Sequence, residues 1–183
     1  MLSDLQTKKL TRYFDVYDID DDGSIAAADF ERILENVRIL RGESERSPGF
    51  AELRSAYMGL WGSLHRHADV DSSGAVDLEE WLAYWQILLE DDERYQAEVA
   101  AITDRLFRVF DSDEDGQIGP DEFCDFYGIF GLGENLARSV FIEIDIDQDW
   151  VITRDELLEI SSQFYRSDDP AAPGNMLFGP FGV

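Results

Sequence analysis

The chain has 183 residues, 15 Lys plus Arg against 40 Asp plus Glu, and a formal net charge of −25; 44% of it is hydrophobic and 13% aromatic. That apolar content argues against disorder, and the length suffices for one compact domain or two small lobes. The charge excludes a nucleic-acid-binding role, since phosphate recognition needs a basic patch, and it disfavours an anionic membrane surface. Cys124 is the single cysteine, so no intramolecular disulfide forms. No basic segment leads into an apolar run after Met1, Leu2 stands where N-myristoylation needs Gly, and the last residues hold no prenylation cysteine. The most apolar run, Trp81 to Leu89, is too short to span a bilayer. The expectation is a cytoplasmic chain without a membrane anchor.

In chain order, a Ser3-x-x-Gln6 capping box opens a segment with Leu5, Leu10, Tyr13, Phe14 and Tyr17 at helical spacing. The acidic cluster Asp18-Ile-Asp20-Asp-Asp22-Gly23 follows, and then Phe30, Ile33, Leu34, Val37 and Leu40 fall on one helical face. The polar stretch from Arg41 to Gly49 precedes a longer helix with Phe50, Leu53, Tyr57, Leu60 and Leu64. A second cluster, Asp69-Val-Asp71-Ser-Ser73-Gly74, is followed after Glu90-Asp-Asp-Glu93 by Ile102, Leu106, Val109 and Phe110. The third, Asp111-Ser-Asp113-Glu-Asp115-Gly116, leads into a helix with Phe123, Phe126, Tyr127 and Phe130, and Pro120 suits its first turn. Gly128 to Gly133 lacks the strand–turn–helix context and the Gly-Lys-Ser/Thr ending of a phosphate loop, and reads as a hinge. The fourth cluster, Asp145-Ile-Asp147-Gln-Asp149-Trp150, puts Trp where the others have Gly.

Each cluster begins a window of twelve that ends on an acid: Asp29, Glu80, Glu122 and Glu156. Those 48 residues hold 21 acids and one base, so −20 of the total charge of −25 lies in them. Oxygens at positions 1, 3 and 5, a backbone carbonyl at 7, position 9 and a carboxylate at 12 wrap a hard cation, and Gly at 6 permits the sharp turn. Carboxylates only accept hydrogen bonds and repel one another, so several around one point call for a divalent cation; all-oxygen ligation selects Ca²⁺ or Mg²⁺ over Zn²⁺ and copper. The candidate ligands are Asp18, Asp20, Asp22, Ser24 and Asp29 in the first window, and Asp69, Asp71, Ser73, Ala75, Asp77 and Glu80 in the second. They are Asp111, Asp113, Asp115, Gln117 and Glu122 in the third, and Asp145, Asp147, Asp149, Val151 and Glu156 in the fourth.

The windows differ. The third satisfies the strict D-x-[DN]-x-[DN]-G-x₅-E pattern and ranks first. In the second, Ser73 replaces a carboxylate at position 5, while Asp77 and Glu80 compensate. The first ends on Asp29, one methylene shorter than Glu, which lowers coordination and tilts selectivity toward Mg²⁺. In the fourth, a bulky Trp150 in a left-handed conformation costs about 1–2 kcal/mol.

Four such windows flanked by helical patterns resemble the EF-hand calcium-binding proteins. The intervals between window starts are 51, 42 and 34 residues. With the long first interval, the pattern is similar to the sarcoplasmic calcium-binding proteins and calerythrin-like proteins. The resemblance implies an all-α fold of four EF-hands, paired by short antiparallel β-bridges between loops, the two pairs packed into one compact molecule. The halves are expected at 1–91 (loops 18–29 and 69–80) and 92–183 (loops 111–122 and 145–156). An apolar tail over 166–183 is expected to cover the groove between them.

The resemblance implies no enzyme but a monomeric Ca²⁺ and Mg²⁺ buffer or transporter. Sensors expose a Met-rich groove, and this chain has three Met in all, none clustered, against 12 Phe, 7 Tyr and 4 Trp. The alternatives are a calcium sensor for a protein target and, behind it, a photoprotein-like binder of an apolar small molecule. His65 and His67 sit two apart and diverge on a helix, which speaks against a zinc or catalytic pair. Cys124, on the helix leaving the third window, is expected to be buried and inert.

Overall fold

The computed structural model describes residues 1–181; the last two residues of the tail expected over 166–183 lie outside the described residues. Ser3 caps helix α1 (Asp4–Tyr17): its side chain accepts from the Gln6 amide while Gln6 reaches back to the Ser3 amide, closing the capping box. The helices that follow are α2 (Ala27–Leu40), α3 (Pro48–Ala68), α4 (Leu78–Glu90), α5 (Asp92–Phe110), α6 (Pro120–Ile129), α7 (Glu134–Ile144) and α8 (Arg154–Arg166). Pro48 and Pro120 open their helices, where the missing amide proton costs nothing. Asp91 both ends α4 and caps α5, so a single residue separates those helices.

Between helices the acidic windows turn and meet in pairs. Strands β1 (Ser24–Ile25) and β2 (Val76–Asp77) pair antiparallel with Ile25 opposite Val76. Strands β3 (Gln117–Ile118) and β4 (Ile152–Thr153) do the same with Ile118 opposite Ile152. All four of these apolar residues are fully buried, so each two-residue ribbon is clamped by a hydrophobic pair at position 8 of its loops. The expected all-α fold with paired loops is the one observed.

The core is one continuous cluster running through the whole chain. α1 lies at its centre, packed on both α4 and α8, while α2 packs on α3 and α6. Tyr13 of α1 stacks on Phe178 of the tail at 4.2 Å between ring centres, and Trp85 of α4 stacks on Tyr165 of α8 at 4.5 Å. Tyr17 meets Phe130 at 5.5 Å, and Trp81 donates its indole N–H to the Leu10 carbonyl at 2.9 Å. Each large apolar side chain so buried contributes about 1.5–3 kcal/mol, and the offset and edge-on ring pairs add to that.

The tail is held by charge as well as by packing. Lys9 has no exposed surface, and its ammonium donates to the carbonyls of Gln163 and Ser167 and to Asn175 Oδ1, at 3.1, 2.8 and 2.9 Å. Two of those acceptors belong to the C-terminal end of α8, where a cation is favoured by the helix dipole. Burial pulls the Lys9 pKa down to about 8, against the opposing pull of Asp168. Tyr127 donates to the Leu177 carbonyl at 3.1 Å, and Gly174 lies so close to α8 that a Cβ there would sit 2.4 Å from the Ile160 carbonyl.

Two side chains depart from the sequence reading. Leu40, expected on the core face of α2, is 46% exposed, because the helix ends there and Gly42, at a φ of 60°, turns the chain away. Cys124 is half-buried rather than buried; burial still raises its thiol pKa, so it stays protonated and unreactive. No described helix is long and apolar enough to cross a membrane.

Candidate metal centres

Each centre is built by the end of one helix, a nine-residue turn and the first turn of the next. The four turns share a backbone. Position 4 is left-handed in all, with φ from 57° to 62° at Asp21, Ser72, Glu114 and Gln148. Position 6 is left-handed too, with φ of 87°, 91° and 85° at Gly23, Gly74 and Gly116, and 70° at Trp150. The bulky Trp150 therefore enters the conformation expected for Gly, at the edge of the narrow left-handed well open to residues with a Cβ. Its side chain is 61% exposed.

The same hydrogen bond closes every turn. The position 6 amide donates to the second oxygen of the position 1 carboxylate: Gly23 to Asp18 at 2.9 Å, and Gly74 to Asp69, Gly116 to Asp111 and Trp150 to Asp145 at 3.1 Å each. The position 12 acid ties the far end back. Its oxygens accept from the amides of positions 2 and 9: Ile19 and Ala26 onto Asp29, Val70 and Asp77 onto Glu80, Ser112 and Gly119 onto Glu122. Glu156 takes only the position 9 residue, through the Thr153 amide and hydroxyl.

These bonds gather the carboxylates. Ligand oxygens of Asp69, Asp71 and Glu80 lie within 4.8 Å of one another, as do those of Asp111, Asp113 and Glu122 and those of Asp145, Asp147 and Glu156. That span is about twice the 2.3–2.6 Å of a Ca²⁺–oxygen bond, so one ion fits between them. In the first turn the gathered set is Asp18, Asp20 and Asp22, and Asp29 is outside it. Its shorter side chain is held at the loop ends by Ile19 and Ala26.

Other candidates have different neighbours. Ser24, Ala75, Gln117 and Val151 stand at position 7, in or next to the strands, where a backbone carbonyl is the available oxygen. Asp115 and Asp149 accept from the amides two residues on, at 2.8 and 3.0 Å, and are not within the gathered sets. Ser73 donates its hydroxyl to the Ala75 carbonyl at 3.2 Å. Asp77 serves as the N-cap of α4, accepting from the Glu80 amide at 2.9 Å. A further residue joins the second centre: His65 Nε2 lies 2.9 Å from Asp69 Oδ2. Its spacing of four from Asp69 at the end of a helix is the signal that could have found it.

The electrostatics fit a cation. Asp111 Oδ1, Asp145 Oδ1 and Glu156 Oε1 are buried and meet no donor among the described residues. Buried anionic acceptors left without a partner are costly, and a divalent ion is what such a donor set would take. The two ends of the series differ in proton affinity. Burial raises the Asp29 pKa, more than the Ala26 and Ile19 amides lower it. At Glu122 burial acts upward as well, but donors from Gly119, Ser112 and Asp113 outweigh it and hold the carboxyl below its ordinary value.

The chain matches the family model described as an EF-hand domain pair over residues 103–129. It is 24% identical to calerythrin of Saccharopolyspora erythraea over 167 residues, covering 90% of this chain and 94% of that protein. It is 27% identical to the sarcoplasmic calcium-binding protein beta chain of Penaeus sp. over 193 residues, covering 97% and 95%. The structure of a sarcoplasmic calcium-binding protein from amphioxus superposes with a TM-score of 0.72 at 22% identity, over the full length of both chains. The resemblance to calerythrin and the sarcoplasmic calcium-binding proteins is therefore borne out. The two sarcoplasmic proteins are named for calcium binding.

Proposed function

We propose that this chain, an EF-hand protein similar to calerythrin and the sarcoplasmic calcium-binding proteins, is a monomeric cytoplasmic buffer or transporter of Ca²⁺ and Mg²⁺. Positions 1, 3, 5 and 12 would supply side-chain oxygens, and position 7 its carbonyl. In the second loop Asp77 would add its own oxygen or a bridging water. Two EF-hand pairs, 1–91 and 92–183, carry two centres each. The third and second loops bind most tightly. The first gathers three carboxylates like the others, but from positions 1, 3 and 5 without the position 12 acid, whose shorter side chain favours the smaller ion. Four divalent ions would take the formal charge from −25 to −17.

The observation that carries the buffer over the sensor is where the apolar faces go. A sensor opens its helix pairs to present an adaptable groove. Here the apolar faces are buried in one cluster, α4 stacks on α8 through Trp85–Tyr165, α1 stacks on the tail through Tyr13–Phe178, and the Lys9 latch fixes that tail. Opening would break ring stacks and strand an ammonium together. The test is the binding of a hydrophobic-surface dye with and without Ca²⁺. The expected result is little change; a large calcium-dependent rise would support a sensor instead. A calorimetric Ca²⁺ titration with and without Mg²⁺ gives stoichiometry and selectivity.

A further inference from the structure

We propose that Arg41, just past the helix leaving the first centre, is a positioning residue for the third: its guanidinium caps the helix that delivers Asp111, an inference that rests on reading the third turn as a cation centre. Helix α5 ends at Phe110, and Asp111 follows at once as position 1. The last carbonyls of a helix have no intrahelical donor, and a cation beside them is favoured by the helix dipole. The Asp111 amide takes the Phe107 carbonyl at 2.8 Å. Arg41 Nη2 takes the next two, Val109 at 2.8 Å and Arg108 at 3.4 Å.

The arm is held in place by its own surroundings. Beyond α2 the Glu43 amide donates to the Arg38 carbonyl and Arg38 Nη1 to the Glu43 carbonyl, both at 3.0 Å. The Glu43 carboxylate stands 3.9 Å from Arg41 Nη1, which leaves Nη2 for α5. One turn and a half earlier on α2, Asn36 donates to the Ile129 carbonyl at 2.7 Å, at the end of α6. α2 and the turn after it therefore brace both helices of the third hand, which gives the polar stretch from Arg41 a task that the acidic windows leave unassigned. With the last turn of α5 pinned, Asp111 stays where its carboxylate meets those of Asp113 and Glu122, so less ordering is left for the ion to impose.

The sign separates this role from plain electrostatics. A positive charge repels Ca²⁺, so deleting it would by itself tighten a nearby centre, whereas loss of the cap should weaken it. The test follows the amides of Gly116 in the third turn and Gly74 in the second by NMR through a Ca²⁺ titration of the full chain. Arg41→Met should weaken the third centre about five-fold and leave the second unchanged. Arg41→Lys, which keeps the charge and a shorter donor, should recover part of that loss. Arg54→Met deletes an equal charge from an exposed pair with Glu31 and should weaken neither centre. The proposal is overturned if Arg41→Met leaves the third affinity unchanged or tighter, or weakens both centres alike. A Gly116 amide that ignores Ca²⁺ in the unaltered chain would instead overturn the reading of the third turn itself, and the role of Arg41 with it.

Discussion

Replacing Trp150 by Gly should tighten the fourth centre. The perturbation is confined: the Trp150 side chain is 61% exposed, so its loss removes little buried surface. The backbone at this position has a φ of 70°, against 85–91° at the three equivalent glycines. A residue with a Cβ there costs about 1–2 kcal/mol relative to Gly. Gly, however, loses about 0.5–1 kcal/mol more backbone entropy on ordering. The net gain is about 1 kcal/mol, or roughly five-fold in affinity, where the four acids leave the cation-free turn loose enough for ordering to accompany binding. The amide of residue 150 donates to Asp145 at 3.1 Å, so its NMR resonance, followed during a Ca²⁺ titration, reports this centre alone. An affinity equal to or weaker than that of the unaltered chain would show that Trp150 is accommodated without strain, and would refute the reasoning.

Asp29→Glu should bring the missing position 12 oxygen within reach and raise the first centre's preference for Ca²⁺ over Mg²⁺ about ten-fold; unchanged selectivity in competitive calorimetry would count against the ligand-reach argument. Removing cations with a chelator should lower the melting temperature steeply. A site held at a thousand-fold excess over its dissociation constant is linked to about 4 kcal/mol, and for a chain of this size each kcal/mol moves the midpoint by about 2–4 °C. Lys9→Met strands two carbonyls and the Asn175 amide oxygen, so it should cost about 1–3 kcal/mol and raise dye binding as Phe178 lifts; an unaltered melting curve would mean that the latch is idle. In the cation-free protein Asp29 should take up its proton at higher pH than its ordinary 3.8, and Glu122 at lower pH than its ordinary 4.5. In the cation-free fold the signs oppose. Glu122 contributes stability that is present above 4.5 and lost as pH falls through its depressed pKa. Asp29 contributes stability that is present below 3.8 and lost as pH rises through its elevated one. A common midpoint for the two carboxyls in an NMR pH titration of the cation-free protein would contradict this ordering.

The local features were legible because they are written in short-range spacing. Helical periodicity placed the apolar faces of α1, α2, α3, α5 and α6, the capping box at Ser3 formed, and the left-handed backbone expected at Trp150 is present. The misses are where neighbours in space decide. Leu40 fits the apolar stripe of α2, yet the helix ends on it and leaves it 46% exposed. Cys124 shares a helix with buried aromatics but projects from a less covered face. Lys9 carries no local signal of burial, and only α8 and the tail, more than 150 positions away in sequence, make it a buried latch.

The acidic windows themselves, with most of the net charge of −25, follow from twelve-residue patterns that the chain carries wherever it folds. A nine-residue turn closes on its own carboxylates, so the sequence alone determines the type of centre and its hard-cation chemistry. Tertiary structure decides what local spacing cannot. It sets which carboxylates converge, leaving Asp29 aside, and it buries the four apolar faces in one another. It also brings Arg41 onto the end of α5. Those outcomes depend on side chains distant in sequence competing for the same volume, and that competition is settled only when the helices pack.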